Sequence, residues 1–267
     1  MRKFGICLET ADFLEKPDFI DQVLELVRNG IFDFVQLQLL LMPKSYDETH
    51  TIVDEKMKNI PTVIHAPIHI PPRYYGIDTG NRDALESNLE KLKDSQKFAD
   101  LLRADVIVLH PGMGDGEEYL RETIRQFRTI NDPRVAVENL PHNPHGQVLQ
   151  GSSPEEIKRI IDEIECKFCL DFSHAICASN SLGRNVYDDF EKYNSLRPDL
   201  YHLSDGDFSA TVDHHLHLGF GSYDIAKILR EFTPENSRIV LETKHADTTT
   251  VDPWRKDMQY IRELKQQ

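Results

Sequence analysis

Residues 134–175 read RVAVENLPHNPHGQVLQGSSPEEIKRIIDEIECKFCLDFSHA, and their pattern decides the architecture. Two short apolar runs, 134–140 and 167–175, flank a stretch with a helical period. The runs are near-continuous rather than alternating, as parallel strands covered by helices require. The stretch between them, SSPEEIKRIIDEI, opens with helix-start signals. Ser153 is placed as N-cap, Pro154 as first helical residue, and Glu156 stands three positions after the cap. Both strands close on polar residues: Glu138 and Asn139 in the first, Asp171 and His174 in the second.

The same unit repeats in both directions. Further strands read KFGICLE (3–9), FDFVQLQLL (32–40), TVIHAPI (62–68), DVIVLHPG (105–112), LYHLSDG (200–206) and RIVLETK (238–244). Helical segments lie between them. DFIDQVLELVRNG ends on Gly30, a C-cap signal, and ALESNLEKLKDSQKFADLLR carries Leu85, Leu89, Leu92, Phe98, Leu101 and Leu102 on one stripe. DPWRKDMQYIRELKQQ, with Asp252 before Pro253, closes the chain. Eight strands alternating with eight helices predict an α/β fold, a single-domain (β/α)8 TIM barrel over residues 1–267. The length fits the roughly 250 residues usual for one such barrel. An open doubly wound sheet is the alternative, but no glycine-rich phosphate loop follows the first strand.

Composition narrows the function classes. No apolar run approaches the roughly 20 residues of a membrane span, and MRKFGICLET reads as a strand rather than a signal peptide. A cytoplasmic location is expected. Cys166 and Cys169 form a C-x-x-C, but residues three apart on a strand face opposite ways, so they read as buried cysteines rather than a metal grip. The net charge of -14 excludes a broad basic footprint for nucleic acid. It leaves open a local one, because bound metal ions are themselves strong positive charges.

The chemistry-bearing residues gather at strand ends. His65, His110, Glu138, Asp171 with His174, His202 with Asp205, and Glu242 stand at the ends of strands three to eight; Asp213, His214 and His215 follow strand seven. In a barrel these ends converge on one mouth, where active sites are built. Any one of them has an ordinary explanation, such as a cap, a surface ion pair or a solvated loop histidine. Six consecutive strands ending alike do not. Imidazole and carboxylate are ligands of zinc and its first-row neighbours. One ion needs three or four protein ligands, and nine of these side chains are available, Asp205 and His214 aside, if both Asp213 and His215 point inward, which points to more than one ion.

At these residues the chain resembles endonuclease IV, within the wider xylose isomerase-like barrel superfamily. The resemblance rests on H-A-P at His65, L-H-P-G, V-E-N, L-D-F-S-H-A, Y-H-L-S-D, V-D-H-H-L-H-L-G-F-G and L-E-T, with D-x-x-H (Asp171, His174) and D-x-H (Asp213, His215) the more specific spacings. It implies a trinuclear zinc site, with manganese or iron as alternative metals. His65, His110 and Glu138 would hold one ion; Glu138, Asp171, His202 and Glu242 a second; His174, Asp213 and His215 a third. It further implies cleavage of DNA on the 5′ side of abasic sites by a metal-activated hydroxide. The chain is expected to act as a monomer.

The sequence departs from that family around the metal residues. Ile68 stands where a tyrosine is common, LPHNPHGQ replaces T-A-G-x-G, and Asp213-His214-His215 lacks the usual arginine. Ile68, Arg73 and Lys244 are the candidate substrate contacts, with Lys44 and Arg184 as further cations for phosphate. A second function stays open: a sugar or sugar-phosphate isomerase or epimerase of the same superfamily. It would use one ion on Glu138, Asp171, His202 and Glu242, with Glu138 and Glu242 as its catalytic acid/base pair. A non-catalytic metal-binding scaffold is the third alternative.

Overall fold

A computed structural model describes residues 1–40, 46–68, 76–244 and 249–264. Eight parallel strands close a barrel in chain order: β1 (Lys3–Glu9), β2 (Phe34–Gln38), β3 (Thr62–His65), β4 (Ile107–Leu109), β5 (Val135–Glu138), β6 (Lys167–Asp171), β7 (Leu200–Leu203) and β8 (Arg238–Leu241). The seam between first and last strands pairs Phe4 with Ile239 and Ile6 with Leu241. Around the barrel run α1 (Thr10–Glu15), α2 (Pro17–Arg28), α3 (Tyr46–Met57), α4 (Leu85–Leu102), α5 (Glu117–Ile130), α6 (Pro154–Ile164), α7 (Phe172–Leu182), α8 (Val186–Ser195), α9 (Ile225–Phe232) and α10 (Asp252–Leu264). Among the described residues no helix is long and apolar enough to cross a membrane.

Strand side chains alternate between two faces, so one barrel has two cores. The larger lies between strands and helices and takes Ile6, Leu37, Ile64, Ile107, Leu109, Val137, Leu170, Tyr201 and Leu241. The smaller fills the barrel interior with Phe34, Val63, Val106, Val108, Ala136, Cys169, Leu200 and Val240. Gly5 on β1 makes room for this plug, because a Cβ there would collide with the Phe34 ring. The alternation also aims the chemistry. His65, His110, Glu138, Asp171, His202 and Glu242 each stand two residues beyond an interior residue: Val63, Val108, Ala136, Cys169, Leu200 and Val240. The period of two therefore turns all six into the barrel axis, one layer above the apolar plug.

Local signals held at several points. Ser153 caps α6 by accepting from the Glu156 N–H, and the Glu156 carboxylate accepts from the Ser152 N–H. Helix α2 ends at Arg28, with Gly30 in the left-handed region just beyond it. Strict one-to-one alternation does not hold, since β1 and β6 are each followed by two helices. The second pair corrects the strand expected over 167–175. Strand β6 stops at Asp171, whose carboxylate accepts from the His174 N–H at 2.7 Å and starts α7 at once. His174 thus belongs to the first turn of a helix. Cys169 lies in the barrel interior, while Cys166 is half-buried just before β6 against the outer core. Burial pushes both thiols up to about 12, so they stay protonated.

Candidate metal centre

Nine side chains form three adjoining groups. The donor atoms of His65, His110 and Glu138 lie within 4.8 Å of one another, as do those of Glu138, Asp171, His202 and Glu242, and those of His174, Asp213 and His215. Glu138 belongs to two groups and is fully buried at their centre. Its Oε2 is 3.1 Å from Nε2 of both His65 and His110. Its Oε1 is 3.0 Å from His202 Nδ1 and 3.3 Å from His174 Nδ1. His202 Nδ1 also lies 3.2 Å from Glu242 Oε1 and 3.8 Å from Asp171 Oδ2. In the third group, Asp213 Oδ2 is 2.5 Å from His215 Nε2 and 3.6 Å from His174 Nε2.

The backbone sets these rings. His65 Nδ1 donates to the Ala66 carbonyl at 2.8 Å, His174 Nδ1 to Asn139 at 2.9 Å, and His215 Nδ1 to Glu242 at 2.8 Å. A neutral imidazole that donates from Nδ1 keeps a lone pair on Nε2. In all three rings that lone pair faces a carboxylate. Two acceptors so placed repel unless a positive charge lies between them. His215 reaches its position at a φ of 51°, and its carbonyl accepts from the Lys244 N–H at 2.8 Å. Asn139 links two ligand strands: its amide donates to the Asp171 carbonyl and its oxygen accepts from the Asp171 N–H.

Electrostatics point the same way. Burial pushes the Glu138 carboxyl up, but the charges of His202 and His110 and hydrogen bonds from His110 and His174 hold it well below the usual range. Burial, reinforced by Asp213, Glu138 and Glu242 against the charge of His174, raises the Asp171 carboxyl to about 7. Burial alone would lower His174 and His202, yet Asp171, Asp213 and Glu138 raise the first, and Cys169 with Glu242 and Glu138 raises the second. Four carboxylates in one dry space thus draw protons onto their neighbours, which is what a site built for cations does without them. The buried Asp213 Oδ2 accepts no hydrogen bond of good geometry. An orphaned carboxylate oxygen, three outward lone pairs and a nitrogen–oxygen donor set all fit divalent ions of the zinc kind.

The xylose isomerase-like TIM barrel model matches residues 4–264. The chain belongs to that family. Endonuclease 4 of Thermus thermophilus is 28% identical over 181 residues, covering 64% of this chain and 63% of that protein, so the match spans just under two thirds of the relative's length. A crystal structure of endonuclease IV from Thermus thermophilus superposes with a TM-score of 0.68 at 22% identity, covering 99% of both chains. A D-tagatose 3-epimerase-like protein superposes with a TM-score of 0.71 at 18% identity, covering 99% of this chain and 97% of the other. The family fold therefore carries unrelated chemistries, and the site must decide between them.

The residues singled out around the family barrel's mouth fare differently. Ile68 is half-buried in a bridge with Ile77, at the rim beyond His65. Lys244 is exposed two residues past Glu242. Arg184 is engaged elsewhere, donating to Asp189 and pairing with Glu155, which removes it as a phosphate contact. Asp205 is also no ligand: its carboxylate accepts from the N–H groups of Gly206, Gly219 and Tyr223 and organises the loop after β7. Lys44 and Arg73 lie outside the described residues. Sequence reasoning missed Gln36, fully buried on β2. It is 2.9 Å from His202 Nε2 and 2.5 Å from Glu242 Oε1. The available signal was an amide in the apolar run FVQLQ, two residues beyond the interior Phe34.

Proposed function

We propose that this family member is a metal-dependent phosphodiesterase that cuts DNA on the 5′ side of abasic sites, using three divalent ions, zinc foremost. His65, His110 and Glu138 hold the first ion; Glu138, Asp171, His202 and Glu242 the second; His174, Asp213 and His215 the third. The carrying observation is the third group, packed against the other two through the 3.3 Å approach of His174 to Glu138. A one-ion isomerase needs only the second group and has no use for Asp213 and His215.

Charge supports the same reading. The four carboxylates bring four negative charges and three divalent ions six positive. The surplus of two suits a phosphodiester and an attacking hydroxide, which together bring two negative. One ion alone would leave a buried excess of negative charge, which is costly. Ions bound in these groups supply acidified water and neutralise charge on the reacting and leaving oxygens. The chain's own part is to hold and orient. Glu138 spans two groups, and the Ala66, Asn139 and Glu242 carbonyls fix the rings of His65, His174 and His215. Lys244 offers a cation to a flanking phosphate. Ile68 offers an apolar wedge where the base stack must open, a role aliphatic side chains fill in other DNA-bending proteins. The reading is of a monomer acting in the cytoplasm.

The test is a duplex oligonucleotide with one tetrahydrofuran abasic analogue. Incision is expected at low salt, abolished by chelator, restored by zinc, and falling as salt rises, because cations that contact phosphates, such as Lys244, release counterions on binding, while the net charge of -14 adds no attraction of its own. The second reading, a sugar isomerase or epimerase, draws on Glu138 and Glu242, which flank His202 at 3.0 and 3.2 Å and would form its acid/base pair. Interconversion of a ketose or its phosphate, with no metal-dependent incision at low salt, establishes that reading and overturns the first.

A further inference from the structure

His202 is oriented differently from the three rings fixed by main-chain carbonyls. It turns Nδ1, not Nε2, toward Glu138 and Glu242. Its Nε2 points instead at a side chain, Gln36, reaching across the barrel from β2. We infer that Gln36 is a positioning residue for the second ion: its amide oxygen fixes His202 as the tautomer that ligates through Nδ1, while its amide nitrogen holds Glu242. The inference rests on the reading that Glu138, Asp171, His202 and Glu242 hold an ion.

The argument is one of matching donors to acceptors. Gln36 Oε1 can only accept, so the hydrogen shared at 2.9 Å sits on His202 Nε2. A neutral imidazole protonated there has its lone pair on Nδ1, the atom 3.0 Å from Glu138 Oε1. Gln36 Nε2 then donates to Glu242 Oε1 at 2.5 Å. The reversed amide would set its NH2 against His202 and its oxygen against a carboxylate, pairing two acceptors, so the network admits one orientation. An amide buried without partners is destabilising in an apolar surround. Here Gln36 sits directly above the interior Phe34 and has both partners, and both are members of one ligand group. A partner that fixes the tautomer and orientation of a ligating histidine typically changes metal affinity by about 10–100-fold when removed.

The test uses zinc alone, with stoichiometry and chelator competition on purified protein and thermal melts of the chelated form. Gln36→Met removes both hydrogen bonds at equal length. It is expected to weaken one ion by about 10–100-fold and leave the other ions at wild-type affinity; the melts of the chelated form check that the variant is folded. Gln36→Asn keeps an amide one methylene shorter, serves one partner at a time, and is expected to fall between; it also stands in if Gln36→Met does not fold. Asp171→Asn is the reference. If it holds as many ions as wild type, the reading of the second group fails. If it loses an ion while both Gln36 variants bind zinc as wild type does, the inference about Gln36 alone is overturned. Equal weakening of every ion would also overturn it, since that is the mark of a general structural defect.

Discussion

Glu138→Gln is the most discriminating single change because, among the described residues, Glu138 alone joins two of the candidate ligand groups. The substitution keeps the shape and removes one negative charge from the centre of the cluster. It also turns one carboxylate oxygen into an NH2. If that is Oε2, a donor now occupies the place that serves His65 and His110 at 3.1 Å; if Oε1, the place that serves His202 at 3.0 Å. Either way one group loses its anionic ligand atom, and both lose the charge. Removing one partner of a buried, charge-paired set costs about 3–5 kcal/mol. Set against zinc binding, that is roughly a 10²- to 10⁴-fold loss of affinity for the ions sharing Glu138. Metal content by mass spectrometry after dialysis against a mild chelator should fall by two ions per chain, with the third retained. Incision of the abasic duplex should fall more than with any other conservative change among the nine residues. Wild-type metal content together with full turnover in Glu138→Gln would refute the bridging assignment.

Asp213→Asn should cost one ion per chain and spare the other two groups, since Asp213 belongs only to the group with His174 and His215. Phosphodiesterase activity should drop by orders of magnitude while a one-ion isomerase would continue, so the variant separates the two readings in a single assay pair. The chelated protein should become less stable as pH rises through about 7. Asp171 has a folded value raised to about 7, chiefly by burial, so it holds its proton in the folded state while the unfolded chain has already released its own. Stability from that group is therefore lost as pH rises from about 4 to about 7. His174 is raised against burial chiefly by Asp171, and His202 chiefly by Cys169 and then Glu242 and Glu138; their contribution, full below the unfolded histidine value, disappears as pH climbs through their folded values. Zinc should abolish this slope and bind more tightly with rising pH, because it replaces those protons. Thermal melts from pH 5 to 9 with and without zinc read both effects, and a chelated protein that gains stability across neutral pH would count against the account.

The barrel and the gathering of candidate ligands at its mouth were legible in sequence for one reason. A strand's period of two makes its last inward position predictable once the preceding inward residue is recognised as apolar. Val63 to His65, Ala136 to Glu138 and Val240 to Glu242 all follow that rule. Turn chemistry was legible too where it is local, as at Ser153 and Glu156. What sequence reading misjudged was decided by partners distant along the chain. Arg184 looks like a free cation until Asp189 and Glu155 take it up. His174 was read as strand because the run around it is apolar; the Asp171 cap makes it helix and turns its ring toward Asp213.

Which residue types stand at the strand ends, and their spacing along the chain, is therefore the sequence's own doing, because alternation and capping act over two to four residues. Which of those groups lie within reach of one another, which tautomer each ring adopts, and that a neutral amide on β2 meets His202 on β7, come only from closing the barrel. Closure brings Gln36 and His202, 166 positions apart, to 2.9 Å. It also removes the water that would otherwise satisfy them, leaving each buried group dependent on the one partner the fold provides.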